Sequence, residues 1–264
     1  MKKITKIIAF LTFVITFCTF FNMLTSCFNT AWCFPTELEL KEYQELEHGL
    51  STSVIYQKDD SFNISNTDTV PSKSYTVVLD AGHGGSDPGS IGYKTKVKEA
   101  DLNLKLVKLL EKKLESSGIN VVLTRTTDNA LAEGRGKAFK KQDMANRKEL
   151  IKSIRPNMVI SLHQNSSTNH GFRGAQVFYD KTSEISKQIA DLIQKEFNKT
   201  LDSGKKYTSP GDYYMLKCTS APSVIVECGF LSNAEEEQLL LNENYQEKII
   251  NSIYLGIINF LQIK

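Results

Sequence analysis

Four side chains able to do metal or acid-base chemistry stand beside short apolar runs: His83 in LDAGHGGSDPGS, Glu99 at the head of EADLNLKLVKLLEKKLE, His163 in VISLHQN and Glu227 in VIVECGF. A catalytic zinc ion takes three protein ligands of the His, Glu or Asp type and keeps one position for water. Two histidines and one glutamate satisfy that count. The remaining glutamate is then free to act on the water, whose pKa the metal lowers to about 7, which is the logic of a hydrolase. Residue types alone leave open which glutamate binds and which reacts. Each residue also has a plainer explanation when taken singly. Acidic residues such as Glu99 are favoured in a first helical turn by the helix dipole, His163 could be a hydrogen-bonded core histidine, and His83 could lie in a loop whose glycines serve the backbone. Glu227 is harder to dismiss, because a carboxylate after Val224, Ile225 and Val226 is costly to bury unless paired or bound to a metal.

The elements that must bring these residues together are legible as short β-branched runs alternating with longer amphipathic segments, the pattern of strands crossing to helices. Strands are expected at 74–80, 119–125, 157–163, 175–180 and 223–228. Most of these runs are continuously apolar, which suits strands covered on both faces. Helices are expected from Glu99, with Leu102, Leu106, Leu109, Leu110 and Leu114 at helical spacing and Gly118 as its stop, and over 142–154, 184–199 and 244–262. Ile249, Ile250, Ile253, Ile257 and Phe260 form one face of the last. Residues 131–141 and 203–212 read as exposed loops. The expected fold is a single three-layer α/β domain with a mainly parallel twisted sheet and helices on both faces. In such a sheet ligands bind beyond the carboxyl ends of the strands. His83, His163 and Glu227 all fall at that edge, and a right-handed crossover points the N-terminus of the Glu99 helix there as well.

Other motif readings fare worse. The glycine-rich AGHGGSDPG has neither the lysine of a phosphate-binding loop nor the spacing of a dinucleotide fingerprint. Cys228 could be a nucleophile served by His163, but that leaves His83 and Glu99 without a role. His170 is assigned to the surface or to substrate contact, and His48 to an inert linker. Lys and Arg total 32 against 30 Asp and Glu, too even a balance to argue for nucleic acid. Three basic residues, Lys2, Lys3 and Lys6, precede an apolar run from Ile7 through Phe21, the pattern of an export segment. Leu24, Thr25, Ser26 and Cys27 resemble a lipoprotein cleavage site. Without processing, the apolar character continues to about Trp32 and approaches the roughly 20 residues that span a bilayer, so an uncleaved anchor is the alternative. The expected organisation is thus 1–33 signal peptide or anchor, 34–73 linker and 74–264 catalytic domain, lying outside the cytoplasm with membrane contact only through the N-terminal segment. Cys218 and Cys228 are expected to be small buried hydrophobes rather than a bridge.

The motifs VVLDAGHGGSDPGSIG, KEADLNLKLVKLLEKKLE, MVISLHQNSS and SVIVECGFLSNAEEEQLL, in this order, resemble those of the type 3 N-acetylmuramoyl-L-alanine amidases over roughly Thr76 to Lys264. The resemblance implies a phosphorylase/hydrolase-like fold, Zn2+ held by His83, Glu99 and His163, and Glu227 as the catalytic glutamate. It implies attack by water, activated at the zinc, on the amide joining N-acetylmuramic acid to L-alanine in peptidoglycan, with Glu227 carrying the proton to the leaving amine. Lacking separate wall-binding repeats, the chain is most like the compact, germination-specific amidases of spore formers, which act on spore cortex so that muramic δ-lactam can form. That likeness implies an activating protein partner. Two features depart from the family pattern: Gln164 stands where a small residue is usual, and GRGKAFKKQ before Met144 does not align cleanly. A zinc peptidase acting on the stem peptide, or a non-catalytic wall-binding module, are the alternatives on the same residues.

Overall fold

Alternating side chains along the apolar runs decide the architecture, because successive residues of a strand face opposite sides of the sheet. The computed structural model describes residues 75–201 and 207–262, which fall within one compact unit, Asp68–Lys264. The expected export segment and linker, with Cys27 and His48, lie outside the described residues. In chain order the elements are β1 (Thr76–Ala81), α1 (Glu99–Glu115), β2 (Asn120–Leu123), α2 (Gly136–Ile154), β3 (Met158–Asn165), β4 (Gln176–Tyr179), α3 (Glu184–Thr200), β5 (Ser209–Pro210), α4 (Tyr214–Lys217), β6 (Ser223–Phe230), α5 (Ala234–Leu241) and α6 (Glu243–Leu261). The six strands form one sheet in the order β2-β1-β3-β6-β4-β5. All neighbours are parallel except β4, which runs antiparallel to β6.

Each face of the sheet has its own core. Val77, Leu79, Met158, Ile160, Leu162, Val224 and Val226 meet the buried leucines of α1 and the isoleucines of α3 and α6. On the other face Val78, Val159 and Ile225 pack against Ile151 of α2 and Met215 and Leu216 of α4. The alternation has a chemical consequence. Asp80, Ser161, His163 and Glu227 share the strand phase of the smaller core, so polar groups on that face cluster at the carboxyl edge. Cys218 belongs to the smaller core and Cys228 to the larger, and both are free and buried. None of the described helices is long and apolar enough to cross a membrane.

The expected helices form, and Gly118 follows α1 at φ 79°, as a helix stop requires. Besides the short α4 (Tyr214–Lys217), which was not expected, three details differ from expectation. The helix expected at 142–154 begins at Gly136, so half of the expected 131–141 loop is helical. Its buried stripe is Phe139, Asp143, Arg147 and Ile151; two of the four are charged, which hides the helical period from an apolar count. Within 203–212, Ser209–Pro210 adds an edge strand. The third is α5, capped by the Asn233 side chain on the amides of Glu235 and Glu236 at 3.0 Å. Its glutamates pin the loops around the sheet edge. Glu237 accepts from the amides of Lys94 and Thr95 at 2.7 and 2.8 Å, and Glu236 from those of Gly174 and Phe230 at 2.8 Å. The loop leading into α1 is thereby tied to the end of β6.

Candidate metal centre

The first strand delivers His83 through a backbone that most residues avoid, with φ of 65°; such conformations cost on the order of 1–3 kcal/mol and persist only where neighbours impose them. Two arginines do so here. Arg125 donates to the carbonyls of Ala81 and Gly82 at 2.9 and 3.2 Å. Arg147, fully buried, donates to those of Ala81 and His83 at 2.8 and 2.6 Å. A buried guanidinium needs counter-charge, and Asp80 at 2.6 Å and Asp143 at 2.8 Å supply it. Burial alone would raise the Asp80 pKa; the Arg147 charge and the hydroxyls of Ser161 and Thr124 outweigh it and hold the carboxyl at about 2.

The other two strand ends and the start of α1 complete the cluster. One donor atom each from His83, Glu99 and His163 lies within 4.8 Å of the others. Glu99 is 2% exposed and acts as the hub. Its Oε1 lies 2.9 Å from His163 Nδ1 and 3.2 Å from His83 Nε2 and accepts from the Gln164 amide at 3.0 Å. Its Oε2 accepts from the Ser90 amide at 2.8 Å. Burial would raise the Glu99 pKa, but the two imidazoles hold it well below the usual carboxylate range. Two glycines make room for the cluster. A Cβ on Gly82 would sit 2.2 Å from the His163 ring, and one on Gly89 would sit 2.7 Å from both Glu99 Oε2 and the His83 ring.

Glu227 stands beside this trio, not within it. It is the register partner of His163 on the adjacent strand and is 9% exposed. Burial, reinforced by the charge of Glu99 and opposed by the histidines, pushes its pKa up to about 7. Its Oε2 is buried without a hydrogen-bond partner, an arrangement that calls for a missing ligand or water. The Tyr213 phenol is raised by burial and then by the Glu227 charge, so Glu227 faces the side of the sheet that carries α4. The donor set fits zinc: two imidazole nitrogens and a carboxylate oxygen, with a further acid alongside.

Several residues around the trio were not singled out from the sequence. Asp87 Oδ2 lies 2.9 Å from His83 Nδ1 while His83 Nε2 faces Glu99, the arrangement in which a carboxylate fixes the tautomer and ring of a metal-binding histidine. Lys140 holds the other Asp87 oxygen at 2.8 Å. The spacing of His83 and Asp87 within one loop was the available signal. Arg125, just after β2, and Asp143 and Arg147 on α2 had none, since charged residues at a strand end or on a helix read as solvated. Cys228 is fully buried and its thiol is pushed far up by burial and by Glu227, which removes it as a nucleophile. His170 is exposed, bonded through Nδ1 to the Ser232 carbonyl at 2.6 Å and set against Tyr93, away from the trio.

Residues 77–259 match the family model described as N-acetylmuramoyl-L-alanine amidase. The chain belongs to this family of enzymes. Among its relatives is the germination-specific N-acetylmuramoyl-L-alanine amidase of Bacillus subtilis, 31% identical over 212 residues that cover 77% of this amidase and 89% of the relative. Among solved structures, the CwlD amidase of Clostridioides difficile, determined in complex with the GerS lipoprotein, is 38% identical with a TM-score of 0.69, covering 72% of this amidase and 100% of that chain. The catalytic domain of CwlV from Bacillus (Paenibacillus) polymyxa is 30% identical with a TM-score of 0.64, over 72% and 99% of the two chains. The single α/β domain with its mixed sheet is common to them.

Proposed function

We propose that this amidase hydrolyses the bond between N-acetylmuramic acid and L-alanine in peptidoglycan with zinc held by His83, Glu99 and His163. The observation that carries the reading is the conjunction of that trio with the unpartnered, buried oxygen of Glu227. A bound zinc ion supplies Lewis acidity, polarising a carbonyl and making water acidic near neutral pH. Asp87 keeps His83 in the tautomer that presents Nε2 to the centre, and Glu99 offers one oxygen while Ser90 fixes the other. Glu227, favoured in its ionised form by a nearby cation, takes a proton from the attacking water and returns it to the leaving alanine nitrogen.

The reading extends to the cell. The germination-specific relative supports action on spore cortex, and the lipoprotein complexed with the Clostridioides difficile amidase supports an activating protein partner. Residues 1–33 then carry the domain out of the cytoplasm, as signal peptide or anchor. Mass spectrometry of digested peptidoglycan tests the core of the proposal: released stem peptides should carry a free L-alanine amine. Cleavage confined to bonds within the stem peptide would replace the amidase reading with that of a peptidase.

A further inference from the structure

A groove of about 240 Å3 descends between α2 and α4 to His83 and His163. Its walls are apolar, from Phe139, Met144, Met215 and Ile225, and Tyr213 and Tyr214 stand on its rim, 41% and 48% exposed. Small-molecule sites usually start at about 300 Å3, so this space suits one or two amino-acid residues and not a disaccharide. Among the described residues that line it, Lys140 is the sole lysine or arginine.

Lys140 is built into the rim. Its ammonium is tied to Asp87 Oδ1 at 2.8 Å, and its side chain remains 58% exposed. An ammonium has three donors, so this tether orients the group and leaves two donors for a ligand. A second, wider groove of about 510 Å3, lined just beyond the end of β3 by Ser166, Ser167 and Thr168 and by Ser232 with the Tyr93 and His170 rings, offers different chemistry. Hydroxyls beside ring faces suit a sugar. Asp87 and Asp143 also line the slot between α2 and α4, but each is already paired with a cation, Lys140 and Arg147 respectively. Lys140 is thus the basic group of the lining with donors left over, and an apolar slot with such a donor suits a short peptide that carries a carboxylate.

Resting on the amidase reading above, we infer that the α2–α4 groove is the subsite for the leaving stem peptide and that Lys140 selects a free carboxylate on the residue after L-alanine. The scissile amide then lies across the strand ends, with the peptide toward α2 and the glycan toward Tyr93. Lys140 lies in the GRGKAFKKQ stretch, outside the four motifs that carry the resemblance to the family.

The test is peptide binding to the zinc-loaded full chain, which does not require turnover. L-Ala-γ-D-Glu and its α-amide are titrated against wild type, Lys140→Met and Lys140→Arg, with the shifted NMR signals mapped. A charge-assisted hydrogen bond corresponds to roughly tenfold in affinity. Wild type should bind the acid about tenfold more tightly than the amide, Lys140→Met should bind both at the weaker level, and Lys140→Arg should keep the preference, with shifts at Met144, Met215 and Tyr213. Equal binding of acid and amide by wild type, equal loss of both in Lys140→Met, or shifts confined to Tyr93 and Ser166–Ser167 would overturn the assignment. The digest described above fails or succeeds independently, so the amidase reading and the subsite can be refuted separately.

Discussion

Replacing Gly82 with alanine adds a single methyl group 2.2 Å from Cε1 and Nε2 of His163. The backbone of Gly82 has little freedom to yield: its amide donates to the Leu162 carbonyl at 3.1 Å, and its carbonyl accepts from Arg125 and Asn103, both at 3.2 Å. The imidazole must therefore move. Ordinary contact begins at 3.4 Å, so the ring has to retreat by about 1.2 Å, the difference between the two distances. His163 is partly exposed and can swing outward, so the fold should lose about 1 kcal/mol or less, a shift of about 2–4 °C in Tm. Its proposed role as a zinc ligand is another matter, since a displacement near 1 Å costs about 100-fold in a positioned reaction. Zinc affinity, measured by competition with a chromogenic chelator, should fall by at least about tenfold, and muropeptide cleavage by about 100-fold or more. Wild-type affinity and rate in Gly82→Ala would refute the reasoning that the glycine exists to seat His163.

Three further outcomes follow from the same geometry. Asp87→Asn should lower zinc affinity by about 10- to 100-fold, as loss of a carboxylate behind a metal-binding histidine does, with Tm nearly unchanged; chelator competition and thermal melting check both halves. Arg147→Met leaves Asp80 and Asp143 buried without their cation and should cost about 3–5 kcal/mol in urea unfolding, against less than 1 if the arginine were a solvated helix residue. Acid should weaken the fold through Asp80, whose folded pKa of about 2 lies below its ordinary 3.8. A depressed folded value stabilises above the unfolded pKa, and that stability is lost as pH falls from about 4 through about 2. The difference of nearly two units is worth about 2 kcal/mol, measurable as a drop in the urea midpoint between pH 5 and pH 2 that Asp80→Asn largely abolishes.

The sheet and its long helices were legible because continuous apolar runs and leucines at helical spacing report burial directly. The trio was legible for a topological reason: parallel strands deposit their C-terminal residues at one edge, and α1 begins there. What stayed hidden was polar and non-local. The buried stripe of α2 places two charged residues, Asp143 and Arg147, between Phe139 and Ile151, so an apolar count passes over Arg147 although it donates to the His83 carbonyl. Asp87 lay among glycines in a loop, and only the distance to His83 Nδ1 identifies it as a support. The pairing of Glu237 on α5 with the amides of Lys94 and Thr95 joins positions about 140 residues apart, a relation no local pattern encodes. The proposed division of labour between Glu99 and Glu227, left open by residue type, corresponds to a physical difference: one carboxylate sits against two imidazoles and two backbone amides and the other keeps a buried oxygen without a partner.

The central claim is that Glu227 works on the water and does not hold the metal. Glu227→Gln, assayed in parallel for bound zinc by elemental analysis and for release of L-alanine-terminated peptides by mass spectrometry, tests it most directly. The variant should retain close to one zinc ion per chain while losing cleavage by at least about 100-fold, as expected for removal of a general base. Undiminished cleavage, or loss of the metal together with the activity, would contradict the account.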